Sequence, residues 1–286
     1  MKKFVYTLFL ILVFVLRKLP TFIRRAFFRS LAKIAYLLSF KTNRIIEANL
    51  NLVFNNSLEK KEKEEIKKYS YYNMIFWAQS LVEHIDIKED DIFKMVEVEN
   101  KFFFDKLREE NKNIIEKLKN ENKAIILISS HYGNIDMLNT CINRMVSSTH
   151  QVMRQSNFKE LDEFIIKARE NCGSKMILRS GAVKKLVKAL MKKEVVSLLI
   201  DQNINSKEGT EVEFLGKKAY QSSTSALLAR KFDAVIVPIA IFNQNDYKYK
   251  LKIYDPIYSV KTENEENDIK ELSQLQANAL SANIRR

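Results

Sequence analysis

The sequence predicts an α/β fold in which a helical N-terminal part precedes a mixed, mostly parallel sheet flanked by helices. From residue 123 onward, short uncharged apolar segments alternate with stretches of helical periodicity, which is typical of βαβ units. The chain has only 5 Gly and 3 Pro in 286 residues, and this scarcity disfavours a turn-rich β-sandwich. Apolar residues make up 46% of the chain, enough for a sizeable core.

The chain begins with an uncharged segment, residues 4–16, that is apolar except at Tyr6 and Thr7. As a helix this segment is roughly 20 Å long, shorter than the ~30 Å hydrocarbon core of a bilayer. Basic residues at both ends could extend its reach by snorkelling, so full crossing stays open. A cleaved signal peptide is the alternative, but no small-residue cleavage site follows. We therefore expect an uncleaved membrane anchor.

A second segment opens at Pro20 and carries apolar residues mainly three or four positions apart, with arginines largely on the other side. This pattern predicts a basic amphipathic helix that lies in a membrane interface, with an ordinary core-facing helix as the alternative. We expect residues 1–40 to form the membrane anchor and amphipathic helix, and residues 41–286 a single α/β domain. The arginines after the anchor favour a cytoplasmic location for that domain.

Residues 43–122 are predicted to form helices, and the chain from residue 124 onward is predicted to alternate between strands and helices. The run 124–128 is continuously apolar, which predicts a buried parallel strand. The chain ends within a helical pattern and without a stop signal, so we expect the natural C terminus to lie further on. The predicted elements are helices 43–54, 57–84 and 102–122, strand 124–128, helix 134–147, strand 150–154, helix 158–171, strand 175–179, helix 181–193, strand 195–201, a polar loop 202–213, helix 221–232, strands 234–242 and 248–254, and a helix from about 268.

The charge of the chain points to anionic partners. The net charge is +13, from 48 Lys and Arg against 35 Asp and Glu, and such an excess attracts nucleic acid, anionic lipid or acidic carrier proteins. Solvated helices rich in Lys and Glu would give the same excess without a binding role. Aromatic residues are not interleaved with the basic runs, so we do not expect nucleic acid as a partner.

The two cysteines, Cys141 and Cys172, have no CxxC spacing and no histidine at metal-ligand spacing. A disulfide framework or a zinc site is therefore not expected, and a reducing compartment fits this composition. Neither cysteine has the surroundings of a nucleophile. We expect two small buried side chains and no metal site.

His131 is the candidate catalytic group because it follows the predicted strand 124–128, and ligands bind at the carboxyl ends of strands in such sheets. Gly133 and Asn134 allow a tight turn, after which Asp136 falls in the first turn of the next helix. The Asp136 carboxylate could then fold back onto the imidazole of His131. Such a pair holds one tautomer and leaves the other ring nitrogen as a general base.

Such a base could deprotonate a substrate hydroxyl, and transfer of an acyl group to that hydroxyl would need positive donors for the oxyanion of its transition state. Arg154, Arg169 and Arg179 lie at predicted strand and helix ends, and Asp201 closes the strand 195–201, where it could hold one of these arginines. A solvated surface charge is the alternative for each arginine. The sequence contains no Gly-x-Ser-x-Gly elbow. We therefore expect direct transfer from a thioester to a hydroxyl, without a covalent intermediate.

These residues occur in ordered blocks that resemble the late acyltransferases of lipid A biosynthesis, the lauroyl/myristoyl transferases of Gram-negative inner membranes. The resemblance runs from the N-terminal segment to about residue 260, and the order and gaps of the blocks make it specific to the superfamily. The blocks are Arg44 with residues 49–54, His131-Tyr132-Gly133-Asn134-Ile135-Asp136, Val152-Met153-Arg154 with Arg169, Gly181 and Lys184 with residues 190–196, Asp201-Gln202, Phe214-Leu215-Gly216, residues 222–230 and Val237-Pro238.

The resemblance implies a glycerolipid-acyltransferase-like fold and transfer of a fatty acyl chain from acyl-carrier protein to a hydroxyl of a lipid A precursor. Its implied partners are acyl-carrier protein, a glycolipid acceptor and the bacterial inner membrane, with no cofactor beyond the donor thioester. It implies His131 as base, Asp136 as orienting partner, and Arg169 and Asp201 as further catalytic residues. The residues expected to bind substrate are Arg154, Asn134 and Gly133.

The chain departs from the family pattern at two positions in the central block. Many members carry Glu where this chain has Asp136, and Ile135 replaces a usual aromatic residue. Asp at the first of these positions also occurs in related glycerolipid acyltransferases. Acylation of glycerol phosphate or of another glycolipid is therefore the alternative function. A membrane-tethered basic binding protein without enzyme activity is the more distant alternative.

Overall fold

The computed structural model describes residues 2–84, 89–96, 115–145, 147–244 and 248–284. The chain divides into two compact units, Met1–Asp86 and Ile87–Arg286. The sequence predicted a boundary at residue 40 between a membrane-attachment part and a catalytic part. That functional boundary stays a prediction. Most of the predicted helix 102–122 lies outside the described residues, and residues 115–120 within it are helical.

The N-terminal unit consists of helices at the predicted places. Arg24 links three of them, because its Nε donates to Glu83 Oε1 at 2.7 Å and its Nη1 reaches the Leu16 and Leu19 carbonyls at the end of the first helix. The last carbonyls of a helix have no i+4 N–H donor within it, so the guanidinium stabilises the end of α1. The helices are α1 (Lys2–Lys18), α2 (Thr21–Leu38), α3 (Phe40–Val53) and α4 (Lys60–His84).

The first three helices expose many large apolar side chains. On α2, Phe28 and Ala32 are buried, whereas Phe22 is 74% exposed and Leu38 is 69% exposed. None of the helices that the structure describes is both long enough and apolar enough to cross a bilayer. The predicted anchor segment is the 17-residue helix α1. The other exposed apolar residues are Phe4, Val5, Leu8, Leu10, Ile11, Leu12, Phe14, Val15, Ile23, Phe27, Leu31, Ile34, Leu37, Phe40, Ile45 and Leu52.

The second unit contains the predicted α/β sheet. Its strands are β1 (Ala124–Ser129), β2 (Thr149–Met153), β3 (Lys175–Leu178), β4 (Val195–Leu199), β5 (Gly209–Phe214), β6 (Lys217–Ser222), β7 (Ala234–Asn243) and β8 (Tyr249–Ile253). Six of them form one sheet in the order β3-β2-β4-β1-β7-β8. Every neighbouring pair in that sheet is parallel except β7 and β8. The prediction of a mixed, mostly parallel sheet is confirmed.

Besides the helical residues 115–120, the second unit contains six helices within the described residues. They are α5 (Glu89–Met95), α6 (Ile135–Met145), α7 (Lys159–Asn171), α8 (Ala182–Met191), α9 (Thr224–Phe232) and α10 (Glu265–Ile284). Helix α5 precedes the first strand and was not predicted, whereas the other five follow strands as predicted. Strand β1 pairs with a strand on each side, and all six of its residues are buried. Burial of each of its isoleucines contributes roughly 1.5–3 kcal/mol, which explains why this strand is apolar without alternation.

A separate two-stranded hairpin, β5 and β6, occupies the last five residues of the predicted loop 202–213 and the first two of the predicted helix 221–232, whereas residues 202–208 form a loop as predicted. Its turn residues Leu215 and Gly216 both have positive φ, 52° and 74°, as a two-residue hairpin turn of the I′ type requires. Along β5 the exposed Glu211 and Glu213 alternate with Val212, which is buried, and Phe214, which is partly buried, and the prediction of a loop overlooked this short period-two pattern. Helix α9 consequently begins at Thr224.

Candidate active site

Four of the predicted site residues follow directly from neighbouring parallel strands. His131 comes after β1, Arg154 after β2, Arg179 after β3 and Asp201 after β4. Because these strands run parallel, their carboxyl ends meet at one edge of the sheet. Adjacent strands lie about 4.8 Å apart, and β4 is the neighbour of β1. The sheet therefore brings Asp201 beside His131.

The carboxylate of Asp201 holds His131 at two points. Oδ1 of Asp201 lies 2.7 Å from Nδ1 of the ring, and Oδ2 accepts the backbone N–H of His131 at 2.9 Å. The His131 side chain is 44% exposed and the Asp201 side chain 16%. A carboxylate at Nδ1 favours the tautomer with its proton there. Nε2, which has no partner among the described residues, then keeps its lone pair at the exposed side of the ring.

This pairing corrects the prediction that Asp136 orients His131. Asp136 lies in the first turn of α6, and its carboxylate binds Arg169 of α7 instead, with Nε to Oδ1 at 2.6 Å and Nη2 to Oδ2 at 3.4 Å. Asp201, predicted to hold an arginine, holds the histidine. The two aspartates have exchanged their expected partners because strand order, which the sequence did not supply, places β4 next to β1.

The pKa of His131 lies above the ordinary histidine value of 6.5. The main cause is the hydrogen bond with Asp201, and burial opposes it. The charge of Arg169 also lowers this pKa, so the guanidinium acts on the imidazole electrostatically. Its partner carboxylate on Asp136 neutralises part of that charge. Arg169 and Asp136 are 15% and 10% exposed, so the pair is largely shielded from solvent.

The turn between β1 and α6 packs tightly against the sheet. Gly133 has a φ of 74°, and a Cβ there would collide with the backbone oxygen of Ile241. The prediction of a turn with special backbone angles is confirmed at Gly133. Asn134 is 1% exposed; its Oδ1 accepts the Met137 N–H at 3.1 Å and its Nδ2 donates to the Tyr249 hydroxyl at 3.0 Å. Asn134, predicted to contact substrate, thus uses its side-chain amide to fix the start of α6.

We expect Gly133→Ala to destabilise the protein by at least about 1 kcal/mol, because alanine meets both the positive φ and the Ile241 carbonyl. Gly181→Ala is the matched control: Gly181 has a φ of 70°, and a Cβ added there would have no atom within 4 Å. Thermal unfolding of both variants measures the difference. Equal losses of thermal stability in the two variants would show that the contact with Ile241 does not contribute to the destabilisation.

Arg154 and Arg179 lie at the same edge but are not brought into the His131 group. Both side chains are exposed, and neither forms an ion pair with any residue in the described ranges. The Arg179 backbone N–H donates to the Met153 carbonyl at 2.9 Å. Their strands, β2 and β3, lie two and three places from β1. The edge therefore carries two accessible cations on one side of His131.

The cysteines are free thiols, and the prediction of burial holds for Cys141 alone. Complete burial raises the pKa of Cys141 to about 12, so its thiolate is not formed at neutral pH. Cys172 is partly exposed.

Sequence reasoning missed two aromatic neighbours of this edge. The Tyr249 hydroxyl supports Asn134 from 115 positions away, and the Phe242 ring packs edge-on against Tyr132 at 6.0 Å between centroids. Tyr132 is 41% exposed. Neither contact leaves a local sequence signal, because both depend on the pairing of β1, β7 and β8.

The chain also matches a known protein family over its full length. The profile of a family described as bacterial lipid A biosynthesis acyltransferase matches residues 1–286, the whole chain. The matched range contains both compact units and the His131, Asp136, Arg169 and Asp201 group. No curated protein matches the chain.

Proposed function

The chain belongs to the family of bacterial lipid A biosynthesis acyltransferases, and we propose that it moves a fatty acyl chain from acyl-carrier protein to a hydroxyl of a lipid A precursor. Acyltransferase activity in lipid A synthesis follows from the family. The carrier-protein donor, the acceptor hydroxyl and the roles of individual residues are the proposal. The observation that carries it is the 2.7 Å contact between His131 Nδ1 and Asp201 Oδ1.

In the proposed mechanism His131 is the general base. With the Nδ1 proton held by Asp201, Nε2 takes the proton of the acceptor hydroxyl as its oxygen attacks the thioester carbonyl. The imidazolium that forms is stabilised by the Asp201 carboxylate. When the tetrahedral intermediate collapses, the C–S bond breaks and the leaving thiolate receives the proton from Nε2. The products are the acyl ester and the free thiol of the donor, and His131 is neutral again.

Arg169 is the proposed donor to the oxyanion of the tetrahedral intermediate. Asp136 engages Nε and, at a longer distance, Nη2, which leaves further N–H groups of the guanidinium for a substrate oxygen. A preorganised donor stabilises developing negative charge without reorganisation during the reaction. Asp136 is then a positioning residue for Arg169 and also limits the extent to which Arg169 lowers the basicity of His131.

No covalent intermediate is needed in this mechanism. The buried Cys141 has its pKa raised to about 12, and the sequence has no Gly-x-Ser-x-Gly elbow. Arg154, exposed at the carboxyl edge of β2, is the proposed binding residue for an anionic group of the substrates. Gly133 contributes through the close approach of its backbone to Ile241 rather than through a side chain.

We propose further that the N-terminal unit attaches the protein to the cytoplasmic face of the bacterial inner membrane. Its support is the exposed apolar surface of α1, α2 and α3 together with the basic residues of the same helices. Apolar side chains that enter the acyl boundary and cations that meet anionic headgroups are the two components of interfacial binding. A glycolipid acceptor is itself located in such an interface.

The test of this function is a transfer assay with the purified protein. Acyl-carrier protein loaded with a fatty acid is incubated with a lipid A precursor or with glycerol 3-phosphate, and mass spectrometry identifies the acylated product. We expect an acyl ester on the lipid A precursor and none in a reaction without acceptor. Exclusive acylation of glycerol 3-phosphate would assign the chain to the alternative acceptor and contradict the proposal.

A further inference from the structure

Helix α8 carries two parallel ridges of side chains: a cationic ridge exposed to solvent, and an apolar ridge between the cationic ridge and the buried face. Leu186 and Leu190 are buried against the sheet. On the outer face, residues four positions apart line up along a helix. One ridge is cationic and consists of Lys184 and Lys188 together with Lys192, the residue that directly follows the helix; the ridge beside it is apolar and consists of Val183, Val187 and Met191.

The cationic ridge has no counter-charge within the part of the protein that the structure describes. The segment 182–193 contains five lysines and no acidic residue, and none of these lysines forms an ion pair with any described residue. The nearby Glu194 is engaged by Lys175 at 2.8 Å and by His150 at 2.7 Å. Like charges four positions apart repel each other and destabilise a helix, so helix stability does not explain this arrangement.

The apolar ridge beside the lysines is exposed at both ends. Val183 is 58% exposed and Met191 is 68% exposed, whereas Val187 between them packs partly against the core. A partner helix with carboxylates alongside its own apolar ridge complements this face in charge and in periodicity. Two separated apolar side chains do not form the contiguous apolar face that insertion into lipid needs. An acidic protein helix therefore fits α8 better than a bilayer does.

The position of α8 connects this face to the candidate site. Arg179 directly follows β3 at the carboxyl edge of the sheet, and its carbonyl accepts the N–H of Ala182, the first residue of α8. The first turn of the helix, with Val183 and Lys184, thus begins at the edge that carries His131. A protein bound at that first turn therefore lies next to the carboxyl edge of the sheet.

We infer that the outer face of α8 is the docking surface for the acidic carrier protein that delivers the acyl thioester. This inference rests on the proposed function, because it assigns a binding surface to the proposed donor. The lysine ridge engages carboxylates of the carrier, and Val183 and Met191 contact its apolar side chains. Electrostatic attraction of this kind raises the association rate and weakens with salt.

The experiment compares the triple variant Lys184→Glu, Lys188→Glu, Lys192→Glu with the control Lys119→Glu, Lys261→Glu, Lys270→Glu. The control residues are exposed and lie outside α8, and the change in net charge is the same. We expect the α8 variant to raise KM for acyl-carrier protein roughly tenfold or more. We also expect this KM to lose most of its dependence on salt concentration. Its kcat with an acyl-pantetheine thioester, which has no carrier protein, is expected to match wild type.

Direct binding of unloaded carrier protein supplies a second measurement that does not depend on catalysis. Weaker binding by the α8 variant than by the control supports the docking surface. Equal binding of carrier protein and equal KM in the two variants would overturn the docking surface. It would also be overturned if the α8 variant lost only its binding to vesicles that contain anionic phosphatidylglycerol. If wild type transfers acyl groups from neither donor yet binds carrier protein through α8, the proposed function fails and the docking surface stands.

Discussion

Replacing His131 by alanine is expected to lower kcat by roughly 10²–10⁴-fold, the usual loss when a general base is removed. The imidazole is the group at the carboxyl edge of β1 whose Nε2 can take the hydroxyl proton, while Nδ1 is held by Asp201. The side chain is 44% exposed, so its removal leaves little empty volume in the core. Steady-state transfer from acyl-carrier protein to the lipid A precursor measures the loss.

His150→Ala is the matched control for this prediction. His150 also contacts a carboxylate, with Nε2 2.7 Å from Glu194 Oε2, but it lies in β2 near the amino edge of the sheet, opposite the site. We expect this variant to keep wild-type kcat. Thermal unfolding checks that both variants are folded. A folded His131→Ala protein with undiminished kcat would remove His131 from the mechanism.

Replacing Asp201 by asparagine is expected to lower kcat by roughly 10²–10⁴-fold, because the tautomer and the support of the imidazolium are both lost. Asp201 accepts the His131 backbone N–H at 2.9 Å and contacts Nδ1 at 2.7 Å. An amide in its place can direct its own N–H groups at Nδ1, which moves the ring proton to Nε2 and blocks the base. The kcat at saturating substrate reports this loss.

Asp136→Asn provides the comparison for Asp201→Asn, since each replaces a carboxylate by an amide in the same site. Asp136 binds Arg169 at 2.6 Å, so its replacement disturbs the position of the guanidinium without removing the partner at His131 Nδ1. We expect a smaller loss of kcat than in Asp201→Asn. A larger loss in Asp136→Asn would support the pairing of His131 with Asp136 instead.

The sequence was sufficient to locate His131 and the edge on which it lies. The apolar run at 124–128 predicted a buried strand, which is β1, and a polar group directly after such a strand lies at the ligand-binding edge. The membership of Asp136, Arg169 and Asp201 in the proposed site came from the resemblance and from strand ends. These inferences depend on local periodicity and on where each strand ends, and neither requires knowledge of a long-range contact.

The pairing of the two aspartates could not be read from the sequence. Asp136 is five positions from His131 and Asp201 is 70 positions away, so proximity along the chain favoured the wrong partner. Only the order of strands in the sheet brings β4 next to β1. The same reason applies to the Tyr249 hydroxyl that supports Asn134, because β8 reaches this region through its pairing with β7.

The hairpin of β5 and β6 was missed for a different reason. Its strands contain charged residues whose pairing is local, such as Glu211 with Lys218 at 2.7 Å. Leu215 adopts a positive φ of 52° at the turn, and leucine gives no indication of that conformation. The register of the pair, which sets Phe214 opposite Lys217, was therefore not visible in the composition of the segment.

The dependence of kcat/KM on pH in wild type and Asp201→Asn tests the proposed base and its partner most directly. Since the base acts in its neutral form, activity rises with pH through the pKa of His131, which Asp201 holds above 6.5. We expect wild type to show a rise centred above that value and Asp201→Asn to show a rise shifted to lower pH, at a reduced maximum. Coincident profiles for wild type and Asp201→Asn, with the downward shift found in Asp136→Asn, would contradict the account.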